Sequence, residues 1–494
     1  MAITLHPDQS EAVGRIRGAL KDHQSVLLQA ACGFGKTVVA AYIAQGAQQK
    51  QKRVVFAAHR RELVRQTMNT FENFGIEYGL IMAGERSNPL ASVQIASADS
   101  LRNRPHLIPC DLFVPDEAHL WGDGTRAEII DLARRHGNRI VPLTATPQRG
   151  DGRPMSRIAD IIVSGPSVRS LIDAGRLAQY KVYAPSRPDL SKVHTRAGEY
   201  VTSEVDDIMG RPAVIADAVR YYRQFADGLR MIGYAPSRAR GNEYAQQFTD
   251  AGIPAAFLDG ETPDDIRQST IRAFADGGLS VLFNCQLFRE GFDLSAQVKR
   301  HVPIQAVGLY NPTQSLPLAI QMMMRGMRPQ DGTSIILDHA GIIVNHMGMI
   351  NHGFPDDERE WTLDGIVRRG ANGERTISSV TCKKCAGTFR PRPTCPYCGA
   401  ERDIESREVT EIEGHLAELD PETARLQADL ARRRKEFAKQ EEGRAKTLAD
   451  LVKLGVERGY KMPAWAVMRL RQRGVEVTSA TWREAAKIME GLRH

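Results

Sequence analysis

Residues 30 to 37 read Ala-Ala-Cys-Gly-Phe-Gly-Lys-Thr, and residues 116 to 119 read Asp-Glu-Ala-His. The first string has the A-x-x-x-x-G-K-T form of a loop that cradles phosphates. Gly33 and Gly35 let backbone N–H groups turn inward, Lys36 can reach the β- and γ-phosphates, and the Thr37 hydroxyl suits Mg²⁺. The second string supplies two adjacent carboxylates that can divide the work. Asp116 can hold Mg²⁺ while Glu117 polarises an attacking water. Together they point to the binding and hydrolysis of a nucleoside triphosphate.

Such groups need a strand–loop–helix frame. Val26-Leu27-Leu28 reads as the strand before the loop. Val38-Val39-Ala40-Ala41-Tyr42-Ile43-Ala44 reads as the helix after it, whose N-terminus adds positive potential for an anion. Leu112-Phe113-Val114 reads as a buried strand feeding the carboxylate pair. Pro115 cannot donate to a ladder, so it is expected as that strand's last residue. Further strands are expected from Arg53 to Ala57, Val93 to Ala96 and Ile140 to Leu143, with helical stretches between. That alternation predicts a parallel sheet covered by helices on both faces. After about residue 165 the pattern restarts. Strands are expected at Arg230 to Tyr234, Ala255 to Leu258, Val281 to Asn284, Ala306 to Leu309 and Ser334 to Leu337, and helices at Ala239 to Ala251, Asp264 to Ala275 and Thr313 to Met324. This second α/β half has no phosphate loop of its own.

Four of the seven cysteines cluster as Cys382-x-x-Cys385 and Cys395-x-x-Cys398, a spacing that predicts four thiolates on one Zn²⁺. Pro396 and Gly399 suit the tight turn of such a knuckle. Cys32, Cys110 and Cys285 are scattered in apolar surroundings and are expected as free thiols. The chain has 494 residues, 42% hydrophobic and 25% charged, an ordinary globular composition of several domains. A formal charge of +7 permits a polyanionic partner without proving one. No apolar run is long enough to span a bilayer, and Met1-Ala2-Ile3-Thr4-Leu5 has no basic segment leading into an apolar one. A cytoplasmic chain with no membrane partner is expected. Residues 1–165 and 166–350 are expected as the two α/β domains, 351–375 as a linker, 376–402 as a zinc ribbon and 403–494 as a helical region. Arg432-Arg433-Arg434-Lys435 reads as a solvated helix, Phe389 and Tyr397 as packing within the ribbon, and Tyr460, Trp465 and Trp482 as a helical core.

The order of motifs from Leu5 to Pro329 resembles the superfamily 2 helicases of the DEAH type. Leu5-His6-Pro7-Asp8-Gln9 looks like their adenine-reading segment, with Gln9 the reading amide and His6 where many relatives carry Arg. Ala58 to Gln66 resembles motif Ia and Ala96 to Leu101 motif Ib. In the family both lie on the nucleic-acid backbone, which implies contacts from His59, Arg60, Ser97 and Ser100. Leu143-Thr144-Ala145-Thr146-Pro147 is similar to motif III, Gly233 to Gly241 to motif IV, Glu290-Gly291-Phe292-Asp293 to motif V, and Gln321 to Pro329 to motif VI. The resemblance implies that Gly291 and Asp293 meet the nucleotide and that Arg325 and Arg328 are arginine fingers. It also implies that His119, Thr144, Thr146 and Gln321 couple nucleotide to strand. Met324 replaces the family's usual Gly before the first finger.

A narrower resemblance, to the RadD-type DNA-repair helicases and their phage relatives, adds Leu337 to Gly341, Pro355 to Trp361, the four-Cys ribbon and Arg458 to Ala466. The fold implied is α/β: two tandem RecA-like domains, then the ribbon and a small helical C-terminal region. The implied cofactors are ATP, Mg²⁺ and Zn²⁺. The implied function is an ATP-dependent motor on single-stranded or forked DNA in repair, recombination or phage replication. It would be a monomer, with single-strand-binding or recombination proteins as candidate partners, in a bacterial cytoplasm or that of a phage host. An RNA helicase, or a double-strand translocase that does not separate strands, would carry the same motor motifs.

Overall fold

The run Val54-Val55-Phe56-Ala57-Ala58 is apolar throughout because both of its faces are covered. Val54, Phe56 and Ala58 join one core, and Val55 and Ala57 join another. The computed structural model describes residues 4–85, 88–149, 152–184, 188–191, 193–196, 199–285, 287, 294–298, 300–343, 351–365, 379–401, 445, 447–457, 464–472, 475 and 477–492. The first domain runs α1 (Pro7–Ala19), β1 (Val26–Gln29), α2 (Lys36–Gln48), β2 (Val54–Ala58), α3 (Arg61–Asn73), β3 (Tyr78–Ile81), β4 (Val93–Ser97), α4 (Ala98–Arg102) and β5 (Leu112–Pro115). It continues with α5 (Gly124–Arg135), β6 (Arg139–Ile140), β7 (Leu143–Thr144) and β8 (Ile161–Ser164). The strands pair in the orders β3-β4-β2-β5-β6 and β7-β1-β8, and a bridge from Ser25 to Ile140 joins the two groups. All the pairs are parallel.

The single strand expected from Ile140 to Leu143 is split at Pro142. The Val141 N–H still donates to Phe113 O, while the Pro142 carbonyl accepts from Leu28. Pro142 has no N–H to continue the ladder, and there the chain steps from the side of β5 to that of β1. Strand β5 ends at Pro115, as its missing donor requires.

The second domain runs α6 (Val168–Asp173), β9 (Tyr180–Tyr183), the hairpin β10 (Thr195–Arg196) and β11 (Glu199–Tyr200), α7 (Thr202–Met209), α8 (Pro212–Phe225), β12 (Met231–Tyr234) and α9 (Arg238–Asp250). It continues with β13 (Ala255–Leu258), α10 (Asp264–Asp276), β14 (Val281–Asn284), α11 (Leu294–Val298), β15 (Ala306–Leu309), α12 (Leu316–Met324) and β16 (Ser334–Asp338). Its sheet has the order β13-β14-β12-β15-β16-β9 and is parallel throughout. Strands β17 (Val380–Thr381) and β18 (Gly387–Phe389) of the cysteine segment extend this sheet, β18 pairing antiparallel with β9. Tyr397 fastens that edge: its hydroxyl accepts from Val182 N and donates to Thr388 O. Phe389 is buried and meets Tyr397 edge-on, so both rings pack.

Residues 351–365 are packed as well. Asp356 receives Arg169, Tyr180 and Arg390, and Leu363 O accepts from Met155 N in the first domain.

A second compact unit covers residues 405–494. Its described part is α13 (Leu448–Glu457), α14 (Ala464–Gln472) and α15 (Ser479–Gly491) around Leu451, Val452, Val467, Leu470, Ala485 and Met489. Trp482, expected in this core, is 42% exposed. It stands one turn ahead of Ala485, where the buried stripe of α15 begins. Tyr460, the Trp465 side chain and the run at 432–435 lie outside the described residues. No described helix is long and apolar enough to cross a membrane.

Candidate nucleotide cleft and thiolate cluster

Residues from the two α/β domains line one cavity of about 360 Å³, within the range of small-ligand sites. The first domain gives Gly33, Gly35, Lys36, Thr37, Asp116 and Glu117, and the second gives Gln321, Arg325 and Arg328. Lys36 and Thr37 open α2, and Gly35 caps it at φ +93°. A Cβ on Gly35 would lie 2.6 Å from Gln9 Nε2, so this position demands glycine for its backbone and for its space. The Lys36 ammonium donates to the carbonyl of Ala30 at 3.1 Å, which holds it over the loop.

Asp116 and Glu117 follow β5 and are buried. Burial first, and then neighbouring Glu117, push the Asp116 carboxyl up to about 7 against the pull of Lys36. A divalent cation at Asp116 and Thr37 would remove that penalty, so the donor set fits Mg²⁺. Glu117 has φ +49°, a conformation that non-glycine residues seldom take. Its Oε2 is buried without a hydrogen-bond partner among the described residues. Behind it, His119 Nδ1 lies 3.5 Å from Glu117 Oε2 and 3.0 Å from Thr144 Oγ1, and Thr144 Oγ1 accepts from Thr146 N at 3.1 Å. His119, Thr144 and Thr146 are therefore brought together at the end of β7.

Helix α12 aims Gln321 at the cavity and ends at Met324. Met324 is 1% exposed and lines the cavity beside Arg325. With no Gly there, the helix runs straight up to the first arginine. Gln321, 7% exposed, has both amide atoms buried without a hydrogen-bond partner among the described residues.

Gln9 stands next to the loop. Its Nε2 donates to Phe34 O at 2.7 Å and its Oε1 accepts from His6 N at 3.0 Å. A primary amide has two N–H donors and two lone pairs, so one of each remains, the pair that adenine N7 and N6 call for.

His59 and Arg60 follow β2, and Ser97 ends β4. The register Ala58↔Ser97 puts these groups at the same end of neighbouring strands. Ser97 caps α4 by accepting from Ser100 N, and both serines are buried. Arg60 is half-exposed at this edge. Gly291 and Asp293 lie outside the described residues.

Several cavity residues carried no expectation. Leu63 and Gln66, three apart on α3, line it, and the Gln66 Nε2 is buried without a hydrogen-bond partner among the described residues. The available signal was that the motif Ia string ends in Gln66. Cys32, expected simply as a scattered thiol, also lines the cavity. Burial pushes its thiol up despite Lys36.

The four clustered sulfurs lie within 4.8 Å of one another, Cys382 to Cys398 at 3.8 Å and Cys385 to Cys395 at 3.6 Å. A tetrahedron with Zn–S of about 2.3 Å has edges of about 3.8 Å, so the cluster fits Zn²⁺. Two similar turns build it, with Ala386 N–H donating to Cys382 O and Gly399 N–H donating to Cys395 O. Backbone N–H groups, Cys385's first, lower the Cys382 thiol to about 7, while burial raises Cys385 to about 12.

Residues 2–149 match the family described as Type III restriction enzyme, res subunit, and residues 214–330 match the helicase conserved C-terminal domain. A 51.5 kDa protein of a Lactococcus phage is 31% identical over 411 residues, covering 81% of this chain and 83% of that one. The chain belongs to the superfamily 2 helicases. A Saccharomyces cerevisiae protein named as an ATP-dependent helicase, IRC3, is 26% identical over 63% of this helicase. A Schizosaccharomyces pombe protein named as a mitochondrial ATP-dependent helicase is 24% identical over 68% of it. The chain spans 47% and 57% of those two yeast proteins. In fold it is similar to the ATP-dependent Type ISP restriction-modification enzyme LlaBIII, solved bound to DNA. That likeness has a TM-score of 0.50 and 13% identity, over 68% of this chain and 28% of that one. The helicase is thus an ATP-hydrolysing nucleic-acid motor.

Proposed function

We propose that this helicase works on DNA, moving along single strands by hydrolysing ATP between its two α/β domains. One observation carries the reading: groups for the phosphates, for the water and for transition-state charge converge on one cavity from both domains. Lys36 and the loop N–H groups bind the phosphates, and Gln9 reads the base. Glu117 orients the attacking water and accepts its proton. Arg325 and Arg328 stabilise charge developing at the γ-phosphate. Mg²⁺ on Thr37 and Asp116 supplies Lewis-acid stabilisation of the phosphate oxygens.

A γ-phosphate held from both sides ties the domains together, and its loss releases them. A strand lying over the ends of β2 and β4 is then gripped at changed spacing. Phosphate contacts such as those of Arg60 track it without reading sequence. The DEAH-type reading rests on the motifs from Leu5 to Pro329, Asp116 to His119 among them, and the choice of DNA, of a RadD-like motor and of a repair or phage role rests on the residues quoted above from Leu337 onward. Zn²⁺ on Cys382, Cys385, Cys395 and Cys398 gives structural cross-linking of the hairpin that extends the second sheet.

Strand displacement on forked duplexes tests this. The helicase should release a strand from DNA forks with ATP and fail with a non-hydrolysable analogue. Release from RNA forks alone would assign the motor to RNA, and ATP-dependent movement without release would make it a translocase.

A further inference from the structure

Between β8 and β9 the chain crosses from the first domain to the second, and residues 176–178 touch both halves of the cleft. Arg176 Nη1 pairs with the Asp8 carboxylate, and Nη2 donates to Phe34 O at 2.8 Å. The guanidinium lies 5.5 Å from the centre of the Phe34 ring. Phe34 O is the same carbonyl that accepts from Gln9 Nε2, and Asp8 Oδ1 accepts from Gln9 N at 2.9 Å. Leu177 packs over the loop so closely that a Cβ on Gly33 would sit 2.8 Å from its Cδ2. Two residues beyond Arg176, Ala178 N donates at 2.9 Å to the carbonyl of Met327, which lies between Arg325 and Arg328. The crossing is therefore pinned at one end to the base-reading segment and at the other to the arginine segment.

We infer that Arg176 is a positioning residue through which a correctly read base sets Arg325 and Arg328 for hydrolysis. The inference rests on the roles proposed above for Gln9 and the two arginines. Gln9 and Arg176 share one carbonyl acceptor and meet again at Asp8. A base that engages the spare donor and acceptor of the Gln9 side chain therefore changes the load on the Phe34 carbonyl that its Nε2 shares with Arg176. The guanidinium is planar and forked, so it fixes Asp8 and Phe34 O in one relative geometry, as a lysine cannot. From Arg176 to Ala178 is two residues of backbone, too short to absorb a shift by bending freely. The nucleotide base would thus be selected in turnover as well as in binding.

The test measures steady-state hydrolysis of ATP and of CTP, which lacks the N6 and N7 pattern, by the full chain with saturating single-stranded DNA. The parent should turn over ATP with a higher kcat than CTP. Arg176→Ala should lower kcat for ATP on the order of tenfold and leave kcat for CTP within about twofold, so the ratio collapses while KM changes little. Arg176→Lys, keeping the charge on Asp8 but losing the fork, should recover part of the ratio. Retained CTP turnover reports that the variants are folded. Equal losses with ATP and CTP, or an unchanged ratio, would overturn the inference alone. A parent with no strand-stimulated hydrolysis would overturn the proposed function with it.

Discussion

His119 Nδ1 lies 3.0 Å from the hydroxyl oxygen of Thr144, and both side chains are buried. The pair joins the segment after β5, which carries Glu117, to the end of β7. Thr144 passes the link on through its bond from Thr146 N. Thr144→Val removes the hydroxyl while keeping the shape. It should leave basal ATP turnover within a few-fold and lower strand displacement per ATP on the order of tenfold. Parallel assays of hydrolysis and displacement check this, and equal losses in both would count against coupling.

Glu117→Gln keeps the size of the side chain but cannot accept the water's proton. Nucleotide affinity should stay near that of the parent, with turnover reduced on the order of 10²-fold or more. Equilibrium binding and single-turnover hydrolysis separate the two. Near-parent hydrolysis would remove Glu117 from its role.

Metal analysis of protein purified without chelator should find one Zn²⁺ per chain. Cys395→Ser, at the buried member of the cluster, should abolish it and lower the melting temperature. Zinc retained at full stoichiometry in that variant would contradict the assignment.

Asp356 is 2% exposed at its side chain and meets Arg169, Arg390 and Tyr180. Burial alone would raise its carboxyl, but the bonds from Arg390 and Tyr180 hold it below the ordinary value. A depressed native value stabilises the fold above the unfolded value of about 3.9, and the gain is lost as pH falls through the native one. Asp356→Asn should cost about 1–3 kcal/mol at neutral pH, since both arginines are partly solvent-screened. Denaturation curves should show the gap to the parent narrowing below about pH 4. A gap that widens in acid would contradict the sign.

The phosphate loop and the Asp116–Glu117 pair were legible because their chemistry tolerates few residue types at fixed local spacing. The central strands were legible because burial on both faces leaves unbroken apolar runs, as in β2. Strands β3, β8 and β9 were not anticipated. β8 is an edge strand whose Ile161 is 36% exposed, and so gives a weak pattern. Pro142 divided a strand that its apolar neighbours suggested was whole. Arg176 gave no local signal, since its partners Phe34 and Asp8 stand 142 and 168 residues away. Gln66 and Cys32 line the cavity with Gln321 and Met324 of α12, residues far from them in the sequence.

The most direct test of the account is ATP turnover by the full chain against the concentration of single-stranded DNA, at low and at high salt. Turnover should rise with the strand, with little preference for its sequence. The half-saturating concentration should climb steeply with salt, because lysine and arginine contacts to phosphates release counterions on binding. Turnover that no nucleic acid stimulates, from folded and zinc-loaded protein, would contradict it.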